Sequence, residues 1–186
     1  MLATKECKER KEDACLSLRS LCSLAADPEA KCSVCGEVMS ETDMIFDPIE
    51  EVLDAFRAGH MVVVTDDANR ENEGDLICAA DGISDEAINF MATHGRGLIC
   101  VALTSGRIHD LGLSRMTMRG RGDAYNTAFM ESVDAAHGIT TGISAHDRAE
   151  TVRVLVDEAS TSGDLVSPGH TFPLQAMDGG VLNRAG

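Results

Sequence analysis

Apolar residues along this chain recur with two periods, and the switches between them mark its elements. Ile49, Val52, Leu53 and Phe56 recur at helical spacing behind Asp47-Pro48 and ahead of Gly59. That pattern predicts a helix of about three turns, with Asp47 as N-cap and Pro48 as its first residue. Residues 61–64 (MVVV) form a short apolar run expected as a buried strand, and residues 76–80 can form another. Ser84 followed by Asp85 and Glu86 opens a helix expected to end near Gly95, and residues 97–103 (GLICVAL) read as a third buried strand. Residues 127–133 alternate in strand fashion. Ser144-Ala-His-Asp147 resembles a capping box with Asp in place of Glu, and Ala149, Val152, Val156 and Ala159 continue it as an amphipathic helix. Strands alternating with helices in this way indicate an α/β domain, without fixing the strand order.

Composition divides the chain near residue 44. All four lysines (Lys5, Lys8, Lys11, Lys31) and five of the seven cysteines fall within the first 35 residues, and the body uses Arg alone as its fixed cation. Residues 1–44 are expected to be a poorly ordered Cys- and Lys-containing leader, or sequence upstream of a start at Met44. Residues 45–186 are expected to form the folded domain. Cys32-Ser-Val-Cys35 is half of a zinc site, with Cys7, Cys15 and Cys22 as further candidates, but a structural site needs two close ligand pairs.

With 186 residues, 44% of them apolar, the chain has enough material for one domain with a real core. A net charge of −15 disfavours nucleic acid and anionic membrane surfaces as partners and favours cations and small molecules. No apolar stretch is long enough to span a bilayer, and the charged N-terminus is unlike a secretory signal, so a cytoplasmic protein with reduced thiols is expected.

Three stretches carry candidate chemistry. In Thr65-Asp-Asp-Ala-Asn-Arg70-Glu71-Asn-Glu73-Gly-Asp75, five carboxylates crowd around one Arg. If residues 70–75 are extended, Glu71, Glu73 and Asp75 share one face at spacings of about 6–7 Å. Oxygen donors of this kind suit Mg²⁺ or Mn²⁺. A solvated acidic turn is the plainer alternative. His137-Gly-Ile-Thr140-Thr141-Gly142, just before a helix N-terminus, offers amides and hydroxyls to an anion, although a tight turn with ordinary caps has the same sequence. His170, between Pro-Gly and Phe-Pro, sits in what reads as a restricted loop and suits general acid or base work. The other five histidines (His60, His94, His109, His137, His146) have no comparable setting. Cys100 is expected to be a small buried hydrophobe, or to line a pocket. With no Lys after Lys31, the body offers neither Schiff-base nor P-loop lysine chemistry.

Together, DDANRENEGDLI, GLICVAL, GITTGISAHDR, SPGHTFPL and GGVLNRAG closely resemble, in order and spacing, the 3,4-dihydroxy-2-butanone 4-phosphate synthases, lyases of riboflavin biosynthesis. The resemblance covers residue 47 onward. It implies an α/β fold of α+β type, a mixed sheet flanked by helices, and conversion of D-ribulose 5-phosphate to 3,4-dihydroxy-2-butanone 4-phosphate and formate through a metal-stabilised enediolate. By motif, Glu71 is implied as ligand to Mg²⁺ or Mn²⁺ and as a substrate contact. Arg70, Asp75, Thr140 and Thr141 are implied as further substrate contacts, Glu73 and His170 as catalytic. Arg184, followed by Ala185 and Gly186, begins the phosphate-binding stretch. The resemblance also implies a homodimer, and some family members carry a fused GTP cyclohydrolase II domain.

The family continues past this point with a His-Thr-Glu-Ala segment supplying a second metal ligand and then a catalytic Glu. The chain is therefore expected to be an incomplete piece that binds metal weakly and turns over little substrate. A metal-dependent phosphohydrolase and a non-catalytic, degenerate domain are the competing expectations.

Overall fold

The computed structural model describes residues 46–65, 74–117 and 127–179. Residues 1–45, with the Cys-x-x-Cys pair, lie outside them. The chain divides into two compact units at Ala79/Ala80.

In the first unit, helix α1 (Ile49–Arg57) begins one residue later than the sequence suggests. Pro48 is the N-cap and not the first helical residue, its carbonyl accepting the Glu51 and Val52 amides, and the Asp47 side chain makes no cap bond. The C-terminus is a Schellman turn: Gly59, at φ 83°, donates to the Phe56 carbonyl and His60 donates to that of Ala55. No residue of α1 is buried. Strand β1 (Val62–Thr65) pairs antiparallel with β2 (Gly74–Ile77) in the register Val62↔Ile77 to Thr65↔Gly74. The three valines do not form a buried strand. Val64 is exposed and its neighbours are only half-buried, because a two-stranded ribbon leaves one face without a covering layer.

The second unit is built on a mixed three-stranded sheet of order β3-β5-β4, made of β3 (Cys100–Leu103), β4 (Val133–Ala135) and β5 (Leu165–Gln175). β3 runs parallel to β5, and β4 runs antiparallel to it. The expected α/β domain with a mixed sheet flanked by helices is what forms. The register sets Val101 opposite Pro173, so Val101, Leu103, Thr171 and Pro173 face the core. There they meet Ala149, Val152 and Leu155 of helix α4 (Ala145–Val156), which packs across all three strands. Period-two alternation turns Cys100 and Ala102 the other way, so Cys100 is exposed and not the buried hydrophobe expected. The alternating stretch 127–133 becomes two isolated bridges, at Phe129 and Met130, before β4.

Helix α2 (Asp85–Phe90) is capped by Ser84, whose hydroxyl accepts the Ala87 amide at 3.1 Å. It passes into a single π-helical turn, Met91–Gly95, before Arg96 closes it at φ 56°. His146, read from sequence as without a role, binds Asp85 at 2.9 Å, and Asp85 also pairs with Arg153, tying α2 to α4. The His146 bond holds the Asp85 carboxyl below its usual range, and Asp85 in turn raises His146.

A short helix absent from the sequence reading, α3 (Ser105–Asp110), is capped by Thr104. Its Arg107 reaches the C-terminus of α4, donating to the carbonyls of Val154, Leu155, Asp157 and Ser160. These include orphan acceptors of the helix end, and the cation opposes the negative end of the dipole.

At the other end of α4, the expected capping box forms by half. Ser144 Oγ accepts the Asp147 amide at 3.0 Å, but the Asp147 carboxylate turns to the loop ahead of the helix. It accepts the Thr140, Thr141 and Gly142 amides at 3.0, 3.2 and 2.9 Å and the Thr140 hydroxyl at 2.8 Å. Asp147 is 1% exposed. Burial would raise its pKa, yet the bonds from Thr140, Gly142 and Ser144 outweigh burial and bring the carboxyl down to about 2. Behind it, the buried Thr151 hydroxyl donates to the Asp147 carbonyl and accepts the Ala135 amide, joining α4 to the free edge of β4.

Two outcomes follow from these anchors. Arg107→Ala is expected to lower unfolding stability by about 2–3 kcal/mol, because several carbonyls lose a charged donor together. Arg107→Lys should restore only part of that, as read from urea midpoints. A lowered Asp147 pKa contributes stability that is full above about pH 4 and is lost as pH falls toward 2. Asp147→Asn should be less stable than wild type at pH 7, with the difference shrinking over that acid window in paired denaturation curves.

Candidate active site

The site in the second unit begins with an irregularity in the β4–β5 ladder. Pairing steps from Val133↔Thr171 to Asp134↔Val166, so one step on β4 faces a five-residue advance on β5. Ser167, Pro168, Gly169 and His170 are therefore thrown out of the ladder as a large bulge. The sequence supports this locally. Pro168 has no amide to leave unpaired, and Gly169 lies so close to β4 that a Cβ there would sit 2.0 Å from the Val133 carbonyl carbon. The bulge is pinned by Ser167 Oγ donating to the Ser132 carbonyl at 3.0 Å and to Glu131 at 3.1 Å, and by the Gly169 amide donating to the Ser132 carbonyl at 3.0 Å. His170 thus sits in a kinked strand and not in the restricted loop that the sequence suggests.

The bulge aims His170 at Asp134. Asp134 Oδ1 accepts the His170 amide at 2.9 Å, and Oδ2 lies 2.7 Å from His170 Nδ1. A carboxylate accepts, so the ring donates from Nδ1 and keeps Nε2 as its basic nitrogen. Both oxygens grip one residue, which fixes the ring plane as well as the tautomer. Asp134 is buried, and the His170 side chain is 40% exposed, so the ring has a dry anchor and an open edge. Such an arrangement can present Nε2 to accept or donate a proton.

The sequence pattern does not single out Asp134, because the alternating stretch 127–133 stops one residue short of it. The available signal was a single carboxylate between Val133 and Ala135 in an apolar stretch.

Of the other candidates, Thr140 and Thr141 are exposed at the loop before α4. The anion that this loop was expected to cradle is largely supplied from within. Three of its amides and the Thr140 hydroxyl are committed to Asp147. Asp75 is exposed on β2 of the first unit. Arg70, Glu71, Glu73, Arg184, Ala185 and Gly186 lie outside the described residues. Among the described residues, no cluster of three or more His, Cys, Asp or Glu side chains is arranged to hold a metal ion. The acidic stretch 66–73 lies outside the described residues, between Thr65 and Gly74, which are paired in the β1–β2 ladder. Its donors are carboxylate oxygens, the chemistry that Mg²⁺ prefers. No helix among the described residues is long and apolar enough to cross a membrane.

The family model for 3,4-dihydroxy-2-butanone 4-phosphate synthase matches residues 50–186. A 3,4-dihydroxy-2-butanone 4-phosphate synthase of Pseudomonas syringae pv. tomato is 52% identical over 143 residues, which is 77% of this chain and 38% of the relative. The riboflavin biosynthesis protein RibBA of Aquifex aeolicus is 50% identical over 151 residues, 80% of this chain and 37% of that protein. A crystal structure of a 3,4-dihydroxy-2-butanone 4-phosphate synthase in complex with two magnesium ions superposes with a TM-score of 0.72 at 47% identity, covering 76% of this chain and 65% of the other. The chain thus spans less than two fifths of the length of these two curated relatives. With the family match running unbroken from residue 50 to residue 186, the chain belongs to the 3,4-dihydroxy-2-butanone 4-phosphate synthase family.

Proposed function

We propose that this chain provides catalytic machinery for converting D-ribulose 5-phosphate into 3,4-dihydroxy-2-butanone 4-phosphate and formate, acting in the cytoplasm as a homodimer. The reaction balances without an external oxidant or reductant, since the five carbons of the substrate divide into a four-carbon phosphate and formate. The observation that carries the reading is the buried Asp134 carboxylate holding His170 by both ring and amide, within the segment that matches the family.

In this reading His170 accepts at Nε2 the proton beside the substrate ketone and returns a proton to the hydroxyl that departs as water; after the skeleton rearranges, one water adds back as the former C4 leaves as formate, so the products again sum to the substrate. Asp134 keeps Nδ1 protonated and steadies the charge on the ring while it holds the extra proton. Glu73 shares the acid–base work, and Arg70, Asp75 and Glu71 hold the sugar. Thr141 is the substrate-facing member of the threonine pair, because Thr140 commits both its amide and its hydroxyl to Asp147. Arg184, Ala185 and Gly186 begin the phosphate site. Glu71 is the residue that would hold Mg²⁺ or Mn²⁺, whose contribution when bound is Lewis-acid stabilisation of the oxyanion that develops on the ketone.

The test is formate release from D-ribulose 5-phosphate with Mg²⁺, followed alongside inorganic phosphate. It is run on this chain and on this chain joined to the remainder of the Pseudomonas syringae relative's synthase domain. Formate from either supports the lyase. Phosphate alone would replace it with a phosphohydrolase, and neither product from both would leave a non-catalytic domain.

In the active protein, His170→Asn and Asp134→Asn are each expected to lower kcat by roughly 10²–10⁴-fold. Glu71→Gln should weaken the apparent affinity for Mg²⁺ by roughly 10–100-fold, read from activity against metal concentration. Chelation of the metal should abolish formate release in wild type.

A further inference from the structure

Asp147 makes no contact with the Asp134–His170 pair in the mechanism above, yet the chain connects it to that pair by two routes. The first runs through its carboxylate. Oδ2 accepts the Gly142 amide at 2.9 Å, and Gly142 is buried at φ 87°. A Cβ placed on Gly142 would lie 2.0 Å from Asp134 Oδ2, 2.6 Å from Asp134 Cγ and 2.7 Å from His170 Nδ1. The backbone at Gly142 therefore lies directly against the hydrogen bond between carboxylate and ring. The second route runs through the main chain. The Asp147 carbonyl accepts the Thr151 hydroxyl at 2.9 Å, and that hydroxyl accepts at 3.0 Å the amide of Ala135, the residue next to Asp134.

We propose that Asp147 is a positioning residue for the Asp134–His170 pair, holding the backbone at Gly142 as a wall against the bond between them. The proposal rests on the reading of His170 as the proton-transfer group. A hydrogen bond shielded from water is electrostatically stronger and exchanges its proton less readily. The wall gives that shielding only while the loop is pulled toward α4. Three consecutive amides and one hydroxyl converging on Asp147 supply the pull. The need for close approach also explains why residue 142 is Gly. Any side chain there would displace the carboxylate or the ring, besides being strained at positive φ.

The experiment reads the His170 ring proton directly, by nitrogen-edited NMR of this chain with ¹⁵N-labelled histidine. In wild type the Nδ1–H of His170 should give a downfield resonance in slow exchange with water. Asp147→Asn should speed that exchange by on the order of tenfold or more, or broaden the signal away, while amide dispersion still reports a folded chain. Thr140→Val removes one of the four donors to Asp147 and should produce a smaller acceleration.

If Asp147→Asn loosens the amides at residues 140–142 and leaves the His170 exchange rate unchanged, Asp147 merely shapes the loop and the proposal fails. If Asp147→Asn does not fold, Thr140→Val decides, and an unchanged rate there overturns the proposal equally. Because the readout is a ring proton and not turnover, it stands or falls separately from the formate assay. In a catalytically active form, Asp147→Asn should lower kcat with KM little changed, and a loss confined to KM would also count against a role at the ring.

Discussion

A carboxylate withdrawn from water must be met by donors, and much of the second unit is arranged around two that are. Asp134 and Asp147 are both almost fully buried; Asp147 is satisfied chiefly by backbone amides, and Asp134 by the amide and the ring of His170. Backbone donors are covalently part of the elements they belong to, so satisfying a buried charge with them fixes the course of the chain as well as the charge. Asp147 gathers the loop that precedes α4, and Asp134 gathers the bulge in β5. An apolar core alone would seat α4 on the sheet without defining where either segment goes. The two acids supply that definition, and both segments carry residues of the candidate site.

The bulge shows how a strand can be rigid and irregular at once. β5 is central in its sheet, paired on both sides, and is thus well held over residues 171–175. Four residues released from pairing with β4 let the chain rotate at His170 without surrendering the strand on either side. Ser132 then takes up the Gly169 amide and the Ser167 hydroxyl, so the displaced segment keeps its hydrogen bonds. A proton-transfer group on such a segment inherits the stiffness of the sheet, whereas the same His in an open loop would have to be ordered by the substrate.

Local signals were legible in the sequence, and long-range ones were not. The Ser84 and Ser144 caps, the helix stop at Gly59 and the alternation of strands with helices all depend on residues within a few positions of one another. The partners of those residues do not. Asp147 was read as a capping-box acid because Ser144 stands three residues before it, and that amide bond does form. The competing demand came from Thr140 to Gly142, where three amides and a hydroxyl outnumber the single amide a capping box offers. Asp134 is 36 residues from His170, a separation that a local pattern does not span. Cys100 and the valines of β1 were read as buried because apolar runs suggest two covered faces. Each strand instead turns part of its apolar surface outward among the described residues. Helix α3 escaped notice because Gly106 interrupts its apolar spacing, and the Thr104 cap has no acidic partner three residues on.

The chemistry expected of this family places a particular demand on a chain whose body contains no lysine. Removing a proton next to a ketone and later expelling water require a group that accepts and then donates within one catalytic cycle. A carboxylate at its ordinary pKa can accept a proton in the first task near neutral pH but is rarely protonated for the second. An imidazole can do both if its tautomer does not change between steps, and a fixed acceptor at Nδ1 guarantees that. In this fold that acceptor is itself held in place by the strand it belongs to and by the backbone lying against it. The order of dependence therefore runs from the buried acids to the bulge and the loop, and from those to the orientation of the ring.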